Sequence, residues 1–208
     1  ATDDISAALS AAVADKEIRS VVLYVDSPGG TVTGVPELAE QIFEARSAKK
    51  IVAVVDSLAA SAGYWIASAA HQVVMQASGE IGSIGVFMMH IDASKALEDF
   101  GLKITFIHAG KHKVEGNPAE PLSDETKAYL QERVDTLNTE FIKAVARNRG
   151  VTPAKVRDEF GQGRTFRGKD AVALGMADRI GGMQDTLERL GAAAGRGAMR
   201  AQLRMERV

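Results

Sequence analysis

The chain of 208 residues carries 25 Lys and Arg against 27 Asp and Glu, a formal net charge of -2, with 46% hydrophobic and 25% charged residues. That balance belongs to a globular chain that buries a core, and it excludes both a disordered polyampholyte and the basic surface that a nucleic-acid partner requires. The absence of cysteine excludes disulfides, thiolate metal sites and a cysteine nucleophile, and no apolar run approaches the roughly 18 residues that span a bilayer.

In chain order, Asp3 or Asp4 caps a helix to about Ala14, with Ile5, Ala8, Leu9 and Ala12 at helical spacing. This opening leaves room for an upstream strand, signal or anchor removed from the chain as given. Val21 to Val25 is a continuous apolar run, the mark of a parallel strand buried on both faces, and it ends in Asp26-Ser27-Pro28-Gly29-Gly30. A helix follows with Leu38, Ile42 and Ala45 on one face, then a second strand, Ile51 to Val55, so the segment reads as a βαβ unit. The spacing next predicts a helix from near Ser61, strands at Val73 to Met75, Ile84 to Met89 and Ile104 to His108, and a short helix from Ala93 to Phe100. Ser123 starts a long helix with Leu130, Val134, Leu137, Phe141 and Val145 on one face, stopping at Gly150. Thr152-Pro153 caps another helix; Arg164 to Phe166 reads as a strand, Gly168 to Leu174 as a helix, and Met176 to Ile180 as extended. Residues 1–190 are therefore expected to form one α/β domain, with the Ala/Gly/Arg-rich tail 191–208 a frayed or assembly-related helix. The loops after Val25 and Val55 are the places where a parallel sheet carries its chemistry.

Three local patterns bear on that chemistry. Paired glycines at Gly29 and Gly30 let main-chain N–H groups face a bound oxyanion, although the same residues also make an ordinary turn. No Gly-Lys-Ser/Thr follows, which disfavours a nucleotide phosphate loop. Ser61, in Ala59-Ala60-Ser61-Ala62-Gly63-Tyr64, stands at a helix start, where a serine is ordinarily an N-cap and where the N–H of Ala62 also suits an oxyanion. A nucleophile needs a base. His71, His90, His108 and His112 compete for that role, a Ser-His arrangement with His90 or His112 among the options, as does a lysine of Lys111-His112-Lys113. A lysine serves only if desolvation or nearby positive charge lowers its pKa from about 10.4. Ser83, in Gly82-Ser83-Ile84-Gly85-Val86, offers a hydroxyl that orients such an amine.

Taken in order, Asp26 to Gly30, Ala59 to Tyr64, Gly82 to Val86 and Gly110 to Lys113 resemble the successive blocks of the signal peptide peptidase A (protease IV) family, within the Clp protease and crotonase fold group. Ser83 follows Ser61 by 22 residues and Lys113 follows Ser83 by 30, a spacing that also resembles the family's. The resemblance extends to about Leu190. It implies a mostly parallel sheet in repeated ββα and βαβ units flanked by helices, and a serine endopeptidase with Ser61 as nucleophile, Lys113 as base and Ser83 holding the lysine. The amide of Ala62, with one from Gly29 or Gly30, matches the oxyanion hole; alanine stands at 62 where the signal peptide peptidases usually carry glycine. No metal or cofactor is implied.

The stretch Ala109 to Pro118, with Ser61-Ala62-Gly63, is closer to the head-maturation proteases of tailed phages in that family. The implied partners are peptide or protein substrates, either signal peptides and other small apolar segments or capsid and scaffold proteins, together with further copies in a ring or dome. The location follows the role: membrane-associated through a segment absent from this chain, or cytoplasmic and procapsid. Two rivals remain. A crotonase-type acyl-CoA enzyme uses paired amides without a nucleophile, and a non-catalytic assembly protein keeps only the fold.

Overall fold

The computed structural model describes residues 2–194 and 199–205, with side chains for residues 2–191. The first compact unit comprises residues 1–85 and 140–208. In chain order its elements begin with α1 (Thr2–Ala14), β1 (Ile18–Ser27), α2 (Val35–Ala45), β2 (Lys50–Ala60), α3 (Ala62–Ser68), β3 (Gln72–Met75) and β4 (Glu80–Gly82). After the second unit, which contains α4 (Ser94–Asp99) and the start of α5 (Asp124–Arg149), come α6 (Pro153–Glu159), β5 (Thr165–Arg167), α7 (Gly168–Leu174), β6 (Arg179–Ile180), α8 (Met183–Ala194) and β7 (Met199–Met205).

The sheet of the first unit runs β5-β4-β2-β1-β7, with β3 pairing to β2 and β6 to β3. Every ladder is parallel except β4 with β5, in agreement with the expected mostly parallel architecture. Alternation along the strands explains why they read as unbroken apolar runs. Val21, Leu23, Val25, Ile51, Ala53 and Val55 enter the main core with α2 and α3 residues such as Leu38, Ile42 and Ile66, while Val22, Val52, Val54 and Val74 form a second layer under Met183, Leu187 and Leu190 of α8. Both faces are covered, so neither needs polar residues.

Strand β2 continues beyond the expected Val55 to Ala60, so the serine loop begins after Ala60. Its register against β1 shifts between Val25↔Val55 and Ser27↔Ala59, setting Asp56, Ser57 and Leu58 against Asp26 alone. Before this bulge β2 pairs with β3, and after it with β4. The tail also departs from expectation. Helix α8 ends at Ala194 and β7 then adds a parallel strand to β1, while residues 195–198 and 206–208 lie outside the described set.

The second unit spans residues 86–139. Segments Ile84–Met89 and Ile104–His108, expected as strands, join no ladder among the described residues. Their apolar side chains are mostly in solvent: Phe87 is 86% and Ile107 99% exposed. Short apolar runs supplied the strand signal, but no strand among the described residues pairs with them. Within this unit Met88 and Met89 line a cleft with Leu122, Leu130 and Val134 of about 530 Å³.

Candidate active site

Ser61 links β2 to α3 with φ 51° and ψ −121°, a conformation that side chains rarely adopt. Its N–H donates to the Gly82 carbonyl at 2.8 Å, and its own carbonyl accepts from the N–H groups of Tyr64 and Trp65 at 2.9 and 3.0 Å. A serine N-cap ordinarily offers its hydroxyl to the first helical turn. Ser61 occupies the cap position without such a bond, so its hydroxyl is not spent on the helix.

The helix behind it is buried from Gly63 to Ser68. The Tyr64 hydroxyl donates to the Met176 carbonyl at 2.9 Å, and burial pushes the phenol pKa up, keeping it a neutral donor. Trp65 stacks on Phe141 with ring centroids 4.4 Å apart, and Asn148 Nδ2 donates to Ser68 Oγ at 3.0 Å. These contacts hold α3 to the C-terminal half of α5 and to the chain just after α7.

The glycine turn after β1 lies against the serine. Gly29 has φ 101°, and a Cβ there would come within 3.0 Å of the Ala60 carbonyl oxygen. A Cβ on Gly63 would stand 3.1 Å from Ser27, so the start of α3 also touches the end of β1. The N–H of Gly29 donates to Ser27 Oγ at 3.2 Å, whereas Gly30 is exposed with open space where a Cβ would project.

Ser83 has φ 53°, and its N–H donates to the Arg164 carbonyl at 2.8 Å. Three residues other than glycine have positive φ among the described residues: Ser61, Ser83 and Gln162. All belong to one backbone network, because Ser61 N–H binds Gly82 O, Ser83 N–H binds Arg164 O, and Arg164 N–H binds Gly161 O across Gln162. The first unit thus brings together Ser61, Ser83, Ala62, Gly29 and Gly30. Sequence reading overlooked the supporting loop 161–164; its signal was Gly161-Gln162-Gly163, glycines on both sides of a strained residue.

Lys113 lies in the second unit, exposed on a turn where its N–H donates to the Gly110 carbonyl at 3.2 Å. It makes no ion pair with a described residue, whereas Lys111 Nζ pairs with Glu125 Oε1 at 3.1 Å. The histidines are engaged elsewhere. His112 Nδ1 faces Glu115 Oε1 at 2.5 Å, His90 Nε2 the Asn117 carbonyl at 3.0 Å, and His108 Nδ1 the Gly110 carbonyl at 3.0 Å. His71 follows α3 and accepts from the Ile51 N–H through Nδ1 at 3.1 Å.

Residues 44–196 match peptidase family S49, and residues 1–82 match Clp protease. The chain belongs to peptidase family S49. Within that family's reach, it is 34% identical over 183 residues to the capsid assembly protease C of Escherichia phage lambda, covering 88% of this chain and 41% of that protein. It is 33% identical over 179 residues to a putative protease of Methanocaldococcus jannaschii, covering 85% and 56% of the two. With a putative signal peptide peptidase of Enterococcus faecium the identity is 32% over 180 residues, covering 85% and 51%. The chain therefore spans 41 to 56% of the length of these relatives. The Clp protease match covers α1 to β4, the elements that build the glycine turn and the serine.

Proposed function

We propose that the chain is a serine endopeptidase in which Ser61 is the nucleophile and Lys113 the general base. One observation carries the reading: Ser61 is held at φ 51° at the head of a buried helix, its hydroxyl spared from capping and a glycine turn packed against it. Strain of this kind, in a residue other than glycine, persists where the surroundings enforce it and clusters at reactive sites.

In this mechanism Ser61 Oγ attacks a peptide carbonyl carbon while neutral Lys113 takes its proton. The carbonyl oxygen becomes an oxyanion that accepts from the N–H groups of Ala62 and Gly30, the Gly29 N–H being committed to Ser27. The C–N bond then breaks, Lys113 returns the proton to the leaving amine, and the Ser61 ester is hydrolysed by water that Lys113 activates. Ser83 Oγ holds the lysine amine. Lys113 is exposed in the single chain, so a bound peptide or a neighbouring copy in a ring or dome is what covers it. Ala62, the partly exposed neighbour of Ser61, is small, which favours extended peptides with small or apolar residues. The phage relative's name directs the search to capsid and scaffold proteins, and the Enterococcus relative's name to signal peptides.

A Ser-His reading is favoured by one contact, the His112–Glu115 pair, which resembles a histidine oriented by a carboxylate. Casein hydrolysis by the assembled chain decides between the two, with Ser61→Ala, Lys113→Ala and His112→Ala at matched oligomeric state. Loss in the first two with retention in the third supports the dyad. Retention in Lys113→Ala with loss in His112→Ala overturns it.

A further inference from the structure

Asp26 opens the glycine block, yet no catalytic role has been given to it. Its carboxylate Oδ1 accepts from Ser57 Oγ at 2.5 Å. Ser57 sits in the β2 bulge, where three residues stand against Asp26 and the strand leaves β3 for β4. The bulge is held from the other side as well: the Tyr24 hydroxyl donates to Asp56 Oδ2 at 3.0 Å, and Gln76 Nε2 to Asp56 Oδ1 at 3.3 Å.

The placement of the Asp26–Ser57 bond gives it a consequence for chemistry. Asp26 lies four residues before Gly30, and Ser57 four residues before Ser61. Between Asp26 and Gly30 the chain is tied by Gly29 N–H to Ser27 Oγ; between Ser57 and Ser61 it is tied by the β4 ladder and by Ser61 N–H to Gly82 O. Slack at either end of the bulge is therefore passed to the glycine turn or to the serine. The β1/β2 ladder lapses after Val25↔Val55 and resumes only at Ser27↔Ala59, so across the bulge itself the Asp26–Ser57 side-chain bond, not main-chain pairing, joins the two strands.

We propose that Asp26 and Ser57 are positioning residues, their hydrogen bond setting the separation between the oxyanion amide of Gly30 and the Ser61 hydroxyl. This rests on the reading of Ser61 as the nucleophile. Neither residue touches the reacting atoms; both act through the strands that carry those atoms. Misplacement by a fraction of an ångström raises the barrier to attack while leaving ground-state peptide binding unchanged.

The test measures the rate of Ser61 phosphonylation by an alkyl fluorophosphonate, kcat and KM on casein peptides, and Tm, all on the assembled full chain. The variants are Ser57→Ala, Asp26→Ala, the double variant, and Asp26→Asn, whose amide oxygen still accepts from Ser57. Each alanine variant is expected to slow labelling and kcat about 10- to 100-fold with KM nearly unchanged. The double variant should be no slower than either single one, because a shared bond is lost only once, and Asp26→Asn should recover most of the rate. Wild-type labelling rates in the alanine variants, even with a lowered Tm, would overturn the clamp and leave the nucleophile standing; so would losses that multiply in the double variant. A wild-type chain that labels no more than Ser61→Ala overturns the nucleophile, and the clamp with it.

Discussion

A Cβ built on Gly29 falls 2.7 Å from the Cβ of Ser61, closer than two such atoms approach in folded chains. The turn after β1 and the serine after β2 therefore share one van der Waals boundary, and only a residue without a side chain fits on the β1 side. Gly29 also holds φ 101°, where an L side chain is strained. Gly29→Ala should reduce fluorophosphonate labelling of Ser61 by about 100-fold and cost about 1–3 kcal/mol of stability. Labelling rate and thermal unfolding measured on the same preparation check both figures. Unchanged labelling would mean that the glycine turn does not border the reacting hydroxyl.

Two lysines share the turn at 111–113, and their partners separate them. Lys111 is bound to Glu125 in an exposed pair, whereas Lys113 makes no ion pair with a described residue. Lys113→Ala should lower casein turnover by about 100- to 10,000-fold, the usual range for a lost general base. Lys111→Ala should change turnover by less than about threefold, and stability by no more than about 1 kcal/mol, as for an exposed pair. The reverse ranking would move the base to Lys111.

Arg149 and Asp178 join the end of α5 to the chain before β6. Arg149 is 6% exposed at its side chain, donates through both terminal nitrogens to the two Asp178 oxygens at 3.0 Å, and donates through Nε to the Gly175 carbonyl. Asp178 also accepts from the Val73 N–H at 2.7 Å while its own N–H donates to the Val73 carbonyl. Asp178→Ala leaves a buried guanidinium and a strand N–H without their acceptor and should cost about 3 kcal/mol in urea unfolding. A change below about 1 kcal/mol would show that the charge is already well hydrated.

Burial, with Lys50 and Arg46 close by, holds the His71 imidazole below its ordinary value of 6.5, so the folded chain favours the neutral ring that accepts from Ile51. Between the folded and unfolded pKa values the unfolded chain binds more protons, and stability rises with pH. The His71 contribution is accordingly complete above about pH 6.5 and lost as the pH falls through the lower, folded value. His71→Asn, whose amide oxygen can receive the same N–H, should flatten the dependence of Tm on pH between about 5 and 7. An unchanged slope would assign the acid sensitivity to other groups.

What the residues disclosed, and what they concealed, follows from where the determining forces lie. Val21 to Val25 and Ile51 to Val55 were readable because burial on both faces leaves an unbroken apolar run. Helix α6 was readable because Thr152 accepts from the Lys155 N–H, a cap whose chemistry lies within four residues. The extension of β2 to Ala60 was hidden, since Asp56 and Ser57 look like the end of a strand and are kept inside it by Asp26 and Tyr24, some thirty residues away in sequence. At the candidate site Ser61 and Ser83 were singled out by ordered motifs. Their positive φ was not: it is imposed by the carbonyls of Gly82 and Arg164, and no residue type announces it.

Trp65 is the only tryptophan in the chain, four residues beyond Ser61, 3% exposed and stacked on Phe141. The molecule therefore carries its own optical probe on the helix that the serine heads. On the proposed mechanism, formation and breakdown of a Ser61 ester should each displace the indole against its aromatic neighbour, so that stopped-flow emission would separate the two half-reactions without an added label.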